Sequence, residues 1–69
     1  MREFSADELN EAKRQIASTL HKLRETVKTL EGKERPERYK SQLTLARRRI
    51  MALEISHALI EKKLEQIQE

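Results

Sequence analysis

The run YKSQLTLARRRIMALEISHALIEKKLEQI, residues 39–67, carries the most regular signal in the chain. Within it Tyr39, Leu43, Ala46, Ile50, Leu53, His57, Ile60, Leu64 and Ile67 follow one another at alternating steps of four and three, without an error. Such a spacing is the heptad repeat of an α-helix whose a and d positions form a single seam. Pro36, three residues upstream of Tyr39, suits the first position of a helix because its missing N–H has no partner to lose there. The second helix is therefore predicted over about 36–68.

Upstream, the start of a first helix is written out in the same detail. Ser5 and Glu8 have the N-cap and N3 spacing of a capping box, and Phe4 and Leu9 occupy the flanking hydrophobic-staple positions. Leu9, Ile16, Leu20, Leu23, Val27 and Leu30 continue the four-three rhythm, with Lys13 in the one a position that is not aliphatic. The pattern stops at Glu31-Gly32, where glycine is expected to take the left-handed conformation that ends helices. Helix 1 is thus predicted over about 6–31 and the turn over about 32–35. So short a connection between two long helices forces them antiparallel. The expected fold is all-α: one domain, 1–69, made of a two-helix hairpin of coiled-coil type.

Folded onto each other, the seams match when partner residue numbers add to 69 or 70. Leu30 then meets Tyr39, Val27 meets Leu43, Leu23 meets Ala46, Leu20 meets Ile50 and Ile16 meets Leu53. In this register Lys13 faces His57. The pair reads either as a polar layer that fixes register, or as a partly exposed layer in which Lys13 reaches out to Glu54 or Glu61.

The seam leaves one face of the second helix unexplained. Leu45, Met51, Ala52, Ile55, Ala58 and Leu59 sit at b, c and f positions, facing away from helix 1. A helix that is apolar all round is normally buried all round. The chain has 69 residues, no cysteine and no evident metal site, and chains this small usually need a staple or a second copy to be stable. These features together predict a homodimer forming an antiparallel four-helix bundle, with its two-fold axis near Ala52 and Ile55.

The net charge of +3 conceals an uneven distribution. Residues 1–32 are balanced, residues 33–49 carry +5 and residues 50–69 carry −2. The basic block is Lys33, Arg35, Arg38, Lys40, Arg47, Arg48 and Arg49, interrupted by Glu34 and Glu37. It reads either as the solvated face of a bundle helix or as a contact for phosphates, for which arginine supplies a planar donor fork. With Phe4 and Tyr39 as the only aromatics, any contact to nucleic acid would be directed at its backbone.

Other chemistry is sparse. Glu54 and His57 have the Glu-x-x-His spacing of bundle metal sites, but the expected facing residue is Lys13, whose charge would repel a metal ion. No acid/base couple, Ser-His pair or glycine-rich phosphate loop can be assembled, so no catalytic residue, cofactor, metal or small-molecule substrate is expected. Small bacterial helical hairpins that dephosphorylate response regulators are similar in length and layout and carry Ser-Gln-x-Leu-Asp early in the second helix. Here the run is Ser41-Gln42-Leu43-Thr44-Leu45; the functional Asp has no counterpart, and no activity is carried over.

The absence of cysteine, an N-terminus (Met1 to Ser5) with no apolar signal core, and apolar runs of at most three residues point to a cytoplasmic protein with no membrane segment. The expected function is a non-enzymatic interaction module that self-associates and presents a surface to a protein partner. The alternative is an accessory or regulatory protein that binds nucleic-acid backbones through the Arg/Lys-rich turn end.

Overall fold

The computed structural model describes residues 3–68, with side-chain surroundings for 3–67. Met1, Arg2 and Glu69, the ends of the expected domain, lie outside the described residues. The described chain is all-helical. Helix α1 spans Ala6–Glu31, a 3₁₀ turn spans Pro36–Tyr39, and helix α2 spans Lys40–Gln68. The two helices lie side by side in a rod of 50 × 19 × 16 Å.

The N-terminus of α1 is closed as its sequence requires. Ser5 is extended and its hydroxyl accepts from the Glu8 N–H at 3.1 Å, while the Glu8 carboxylate accepts from the Ser5 N–H at 3.1 Å. Asp7 and Glu8 in the first turn and Lys28 in the last complement the helix dipole.

The other end of α1 differs from expectation. Gly32 is right-handed, at φ −82° and ψ −3°, and no described residue has a positive φ. Its N–H still donates to the Lys28 carbonyl at 3.1 Å, and the Lys33 N–H closes a tighter turn on the Leu30 carbonyl at 3.3 Å. Gly32 therefore caps the helix without the left-handed conformation. The ring of Pro36 drives the preceding residue out of the helical region, and Arg35 sits at φ −126°, ψ 76°. The chain then re-enters helix through the 3₁₀ turn, in which the Arg38 N–H donates to the Arg35 carbonyl and the Lys40 N–H to that of Glu37. Residues 36–39, expected as α-helix, are therefore wound more tightly, and this turn begins at Arg35 without a side-chain cap.

The seam forms the core. Leu9, Leu20, Leu43, Ala46 and Leu64 are buried, and Ile16, Leu23, Val27, Leu30, Tyr39, Ile50, Leu53, His57 and Ile60 are half-buried between the helices. Ile67, the last seam residue, remains exposed.

The register along this seam is not the one expected. Among the described residues three ion pairs join the helices: Lys13 with Glu61 at 3.3 Å, Arg24 with Glu54 at 2.9 Å and Glu31 with Arg47 at 2.5 Å. Their residue numbers add to 74, 78 and 78, not to 69 or 70. Leu64, which the expected register places opposite Ser5 and Ala6 at the end of α1, is only 5% exposed. A register in which numbers add to 73 accounts for both observations. It sets buried Leu9 against buried Leu64, and Leu30, Val27, Leu23 and Leu20 against Leu43, Ala46, Ile50 and Leu53. The shift is half a heptad, which keeps every aliphatic layer against an apolar neighbour, so burial alone hardly distinguishes the two. Charge does distinguish them. Near the expected register, with numbers adding to 71, Glu31 lies opposite Lys40 but Arg24 opposite Arg47; one heptad beyond the observed pairs, Arg24 lies opposite Glu61 but Glu31 opposite Glu54, so only the observed register makes both pairs attractive.

Two predictions test this account. Gly32→Ala is expected to stabilise the protein by about 0.4–1 kcal/mol, because the backbone is already right-handed and the added methyl meets only the Lys28 carbonyl oxygen at 3.4 Å and that of Thr29 at 3.6 Å. Thermal melting followed by circular dichroism reads this, and a loss of about 1 kcal/mol would indicate a left-handed Gly32 instead. Arg24→Glu should cost about 0.5–1 kcal/mol, and adding Glu54→Arg should restore most of the loss. Simply additive losses in urea melts would mean that the pair does not set register.

Candidate functional site

Three features of the hairpin have chemical potential: the polar layer at its open end, the basic turn end, and the outer face of α2. In the first, Lys13 and His57 do not meet. Lys13 lies one helical turn farther along α2, at Glu61, and Glu61 also approaches His57 Nδ1 at 3.3 Å from its own helix. A Glu61 carboxylate shared between Lys13 and His57 thus replaces the expected direct pair. His57 is the most enclosed of the three, with its side chain 25% exposed, while Glu61 is half-exposed. The layer is partly wetted, as expected of a long lysine snorkelling out of a seam. Among the described residues no group of three His, Cys, Asp or Glu side chains is placed to hold a metal ion. Glu54, the other half of the Glu-x-x-His spacing, turns to Arg24.

Beside this layer runs an open groove of about 350 Å³, lined by Ala17, Leu20, Arg24, Glu54, His57, Ala58 and Glu61. Its rim is the line of ion pairs and its floor is small and apolar. On the opposite edge the hydroxyls of Thr19, Thr26 and Ser56 bond back to the carbonyls of Gln15, Lys22 and Ala52 in their own helices. On the outside of α1, Glu11 accepts from Gln15 and from Arg14. These bonds and the arginine charge hold its carboxyl below its usual pKa. The contact stabilises the folded helix above the unfolded pKa and is lost as pH falls through the folded one.

The basic block is divided by the fold. Lys33, Arg35 and Arg38 line one cleft of about 430 Å³ at the turn, together with Glu34 and Tyr39. Arg48 lines a different cleft with Lys40, Ser41, Thr44 and Leu45. Arg47 is bound to Glu31 within the hairpin, so it is withdrawn from the expected phosphate-contacting set. Among the described residues Lys33, Arg35, Arg38, Arg48 and Arg49 make no ion pair.

The outer face of α2 is open over its whole length. Leu45, Met51, Ile55 and Leu59 are 47, 63, 55 and 62% exposed, and Ala52 and Ala58 between them are also exposed. Leu45, Ala52, Ile55 and Leu59 belong to a second stripe that keeps the heptad rhythm, with Arg48 and Lys62 filling its remaining positions. The b, c and f positions are centred about 180° from the a/d seam at the roughly 103° per residue of a heptad helix. Helix α2 therefore has two apolar faces back to back, and α1 covers one. The outward positions of α1, among them Glu11, Ser18, Lys22 and Glu25, are polar throughout.

No helix among the described residues is long and apolar enough to cross a membrane. Comparison with protein-family models, with curated proteins and with solved structures finds no match.

Sequence reasoning names Glu61 as one possible partner of Lys13 but misses the role of Arg24 and Glu31. A usable signal was present: α1 carries Arg24 and Glu31 at successive e positions and α2 carries Lys40, Arg47, Glu54 and Glu61, so the observed register makes two opposite-sign pairs and each register one heptad away makes one opposite-sign and one like-sign pair. For the polar layer, Lys13→Leu is expected to raise stability by about 1 kcal/mol by completing the apolar seam. A fall of that size in the urea midpoint would show instead that the carboxylate shared by Lys13 and His57 stabilises the fold.

Proposed function

We propose that the chain is a non-enzymatic, cytoplasmic interaction module that works by self-association, as a homodimer of hairpins making a four-helix assembly that offers its surfaces to a protein partner. The observation that carries this reading is the exposed row of Leu45, Met51, Ile55 and Leu59 on one face of a helix whose opposite face is already packed. Contiguous apolar patches on soluble chains mark interfaces, and scattered apolar residues do not. The outer face of α1 has no comparable row, which assigns the contact to α2. The groove and clefts are open and bring no nucleophile, base and orienting group together, which supports a binding role over a catalytic one.

Sedimentation equilibrium tests this directly. The expected species at micromolar concentration has twice the 8.2 kDa chain mass, and Ile55→Glu should reduce it to one chain while leaving the helical circular-dichroism signal in place. A wild-type protein that stays at one chain mass up to about 100 μM, well above typical dimer dissociation constants, would remove the proposal.

A second reading rests on the unpaired Lys33, Arg35 and Arg38 around the turn-end cleft, which suit contact with nucleic-acid backbones. Labelled single- and double-stranded oligonucleotides should then bind at low salt and release steeply as salt rises, with Arg35→Ala/Arg38→Ala weakening binding to all sequences alike. Absence of binding at about 20 mM salt, where counterion release favours it most, would dispose of this reading.

A further inference from the structure

We propose that two copies join through α2 in antiparallel orientation, so that the four helices lie in one flat layer in the order α1, α2, partner α2, partner α1, and not around a common closed core. The inference rests on the self-association proposed above and specifies its geometry. A closed four-helix bundle requires each helix to face two neighbours about a quarter-turn apart, with apolar residues toward a shared axis. Neither helix of this hairpin is built that way. Helix α1 has one apolar seam and a wholly polar outside, and α2 has two apolar faces on opposite sides.

The two edges of the hairpin argue the same way. Closing a bundle over one edge would cover the groove between the helices and with it the Arg24, Glu54, Lys13 and Glu61 charges. Burying ion pairs costs desolvation that their attraction rarely recovers. The other edge presents Thr19, Thr26, Arg49 and Ser56. Only the outer face of α2 carries an uninterrupted apolar stretch along its centre, Met51 to Leu59, with Arg48 and Lys62 at its two ends.

Charge settles the direction. Residues 33–49 carry +5 and residues 50–69 carry −2, so a parallel dimer would set one +5 block against the other, with Arg48 opposite Arg48 of the partner subunit. Antiparallel packing about Ala52 separates these like charges. The apolar stripe also matches itself best when the two-fold axis passes beside Ala52, where the small side chain lets the backbones approach. Leu45 then lies opposite the partner's Leu59, and Ile55 lies beside the partner's Arg48, whose aliphatic stem can cover it. Moving the axis to the midpoint between Ala52 and Ile55 sets Leu45 against the partner's Lys62 and Leu59 against the partner's Arg48. A further half-heptad sets Arg48 against the partner's Lys62.

The chain contains no cysteine, so introduced thiols report the geometry cleanly. An equimolar mixture of L45C and L59C proteins, oxidised gently, is expected to give mainly the mixed disulfide dimer, with each variant alone crosslinking at least ten-fold more slowly. Faster crosslinking of each variant with itself would show a parallel dimer and overturn the proposal. Ala17→Lys, in the groove that a closed bundle would cover, should leave the dimer dissociation constant within about three-fold of wild type, while Ala52→Glu, which sets two carboxylates together at the axis, raises it more than 100-fold. A dimer that Ala17→Lys dissociates would mean a closed bundle, and would also overturn the proposal. A wild-type protein that sediments as a single chain defeats the underlying self-association reading, an outcome distinct from these two.

Discussion

A heptad seam repeats every three or four residues, and two such seams can therefore be zipped together at several offsets with nearly the same burial. What depends on the choice is everything else in the hairpin: which charges meet, how much chain the turn must use, and which polar residue faces which. The choice here is made at one edge, where Arg24 meets Glu54 and Glu31 meets Arg47. Each pair is half-exposed and worth at most about 1 kcal/mol on its own. Their leverage is differential, because the slip that loses these attractions brings Arg24 toward Arg47. The half-heptad displacement also gives the turn the length that the Pro36–Tyr39 segment occupies.

The physics explains which parts of this fold are legible from the chain. Helix α1 begins at Ala6 because the Ser5 and Glu8 box is local, and the break before the second helical segment falls at Arg35 because the Pro36 restriction is local too. The apolar seam is legible for the same reason: periodicity is a property of one helix at a time. Register is a relation between two helices, and matching apolar residues by their sums weighs the degenerate interaction while leaving out the discriminating one. Hence the register that sets Lys13 against His57 is not found, while the alternative reading, in which Lys13 reaches out to Glu61, is. Gly32 is misread for a different reason. Glycine after a helix usually signals a left-handed cap, yet here the restriction from Pro36 acts on Arg35 and leaves Gly32 free to stay right-handed. Of the candidate site residues, the outer row on α2 is plain in the pattern. The division of the basic block between two clefts and one internal ion pair follows only from three-dimensional placement.

The two helices have unequal roles. Helix α1 spends its apolar residues on one partner and faces water elsewhere with short polar and charged side chains. Helix α2 is continued from the same turn but is apolar on two sides. That asymmetry places the packed face and the exposed apolar face on opposite sides of one 29-residue helix. A change on the exposed side leaves untouched the layers that hold the hairpin together.

Tyr39 is the only tyrosine and the chain has no tryptophan, so all its useful near-ultraviolet absorption and emission come from one ring at the last position of the 3₁₀ turn. That ring is half-buried beside Lys33, Glu34, Arg35 and Arg38. It is therefore a local optical probe of the turn, sensitive to fraying there and to ions gathering at the basic cleft. It sits at the far end of the rod from the Lys13 and Glu61 layer, and more than three helical turns from Ile55, at the ~5.4 Å pitch of an α-helix. An event at the outer face of α2 can pass without changing the only colour this protein has.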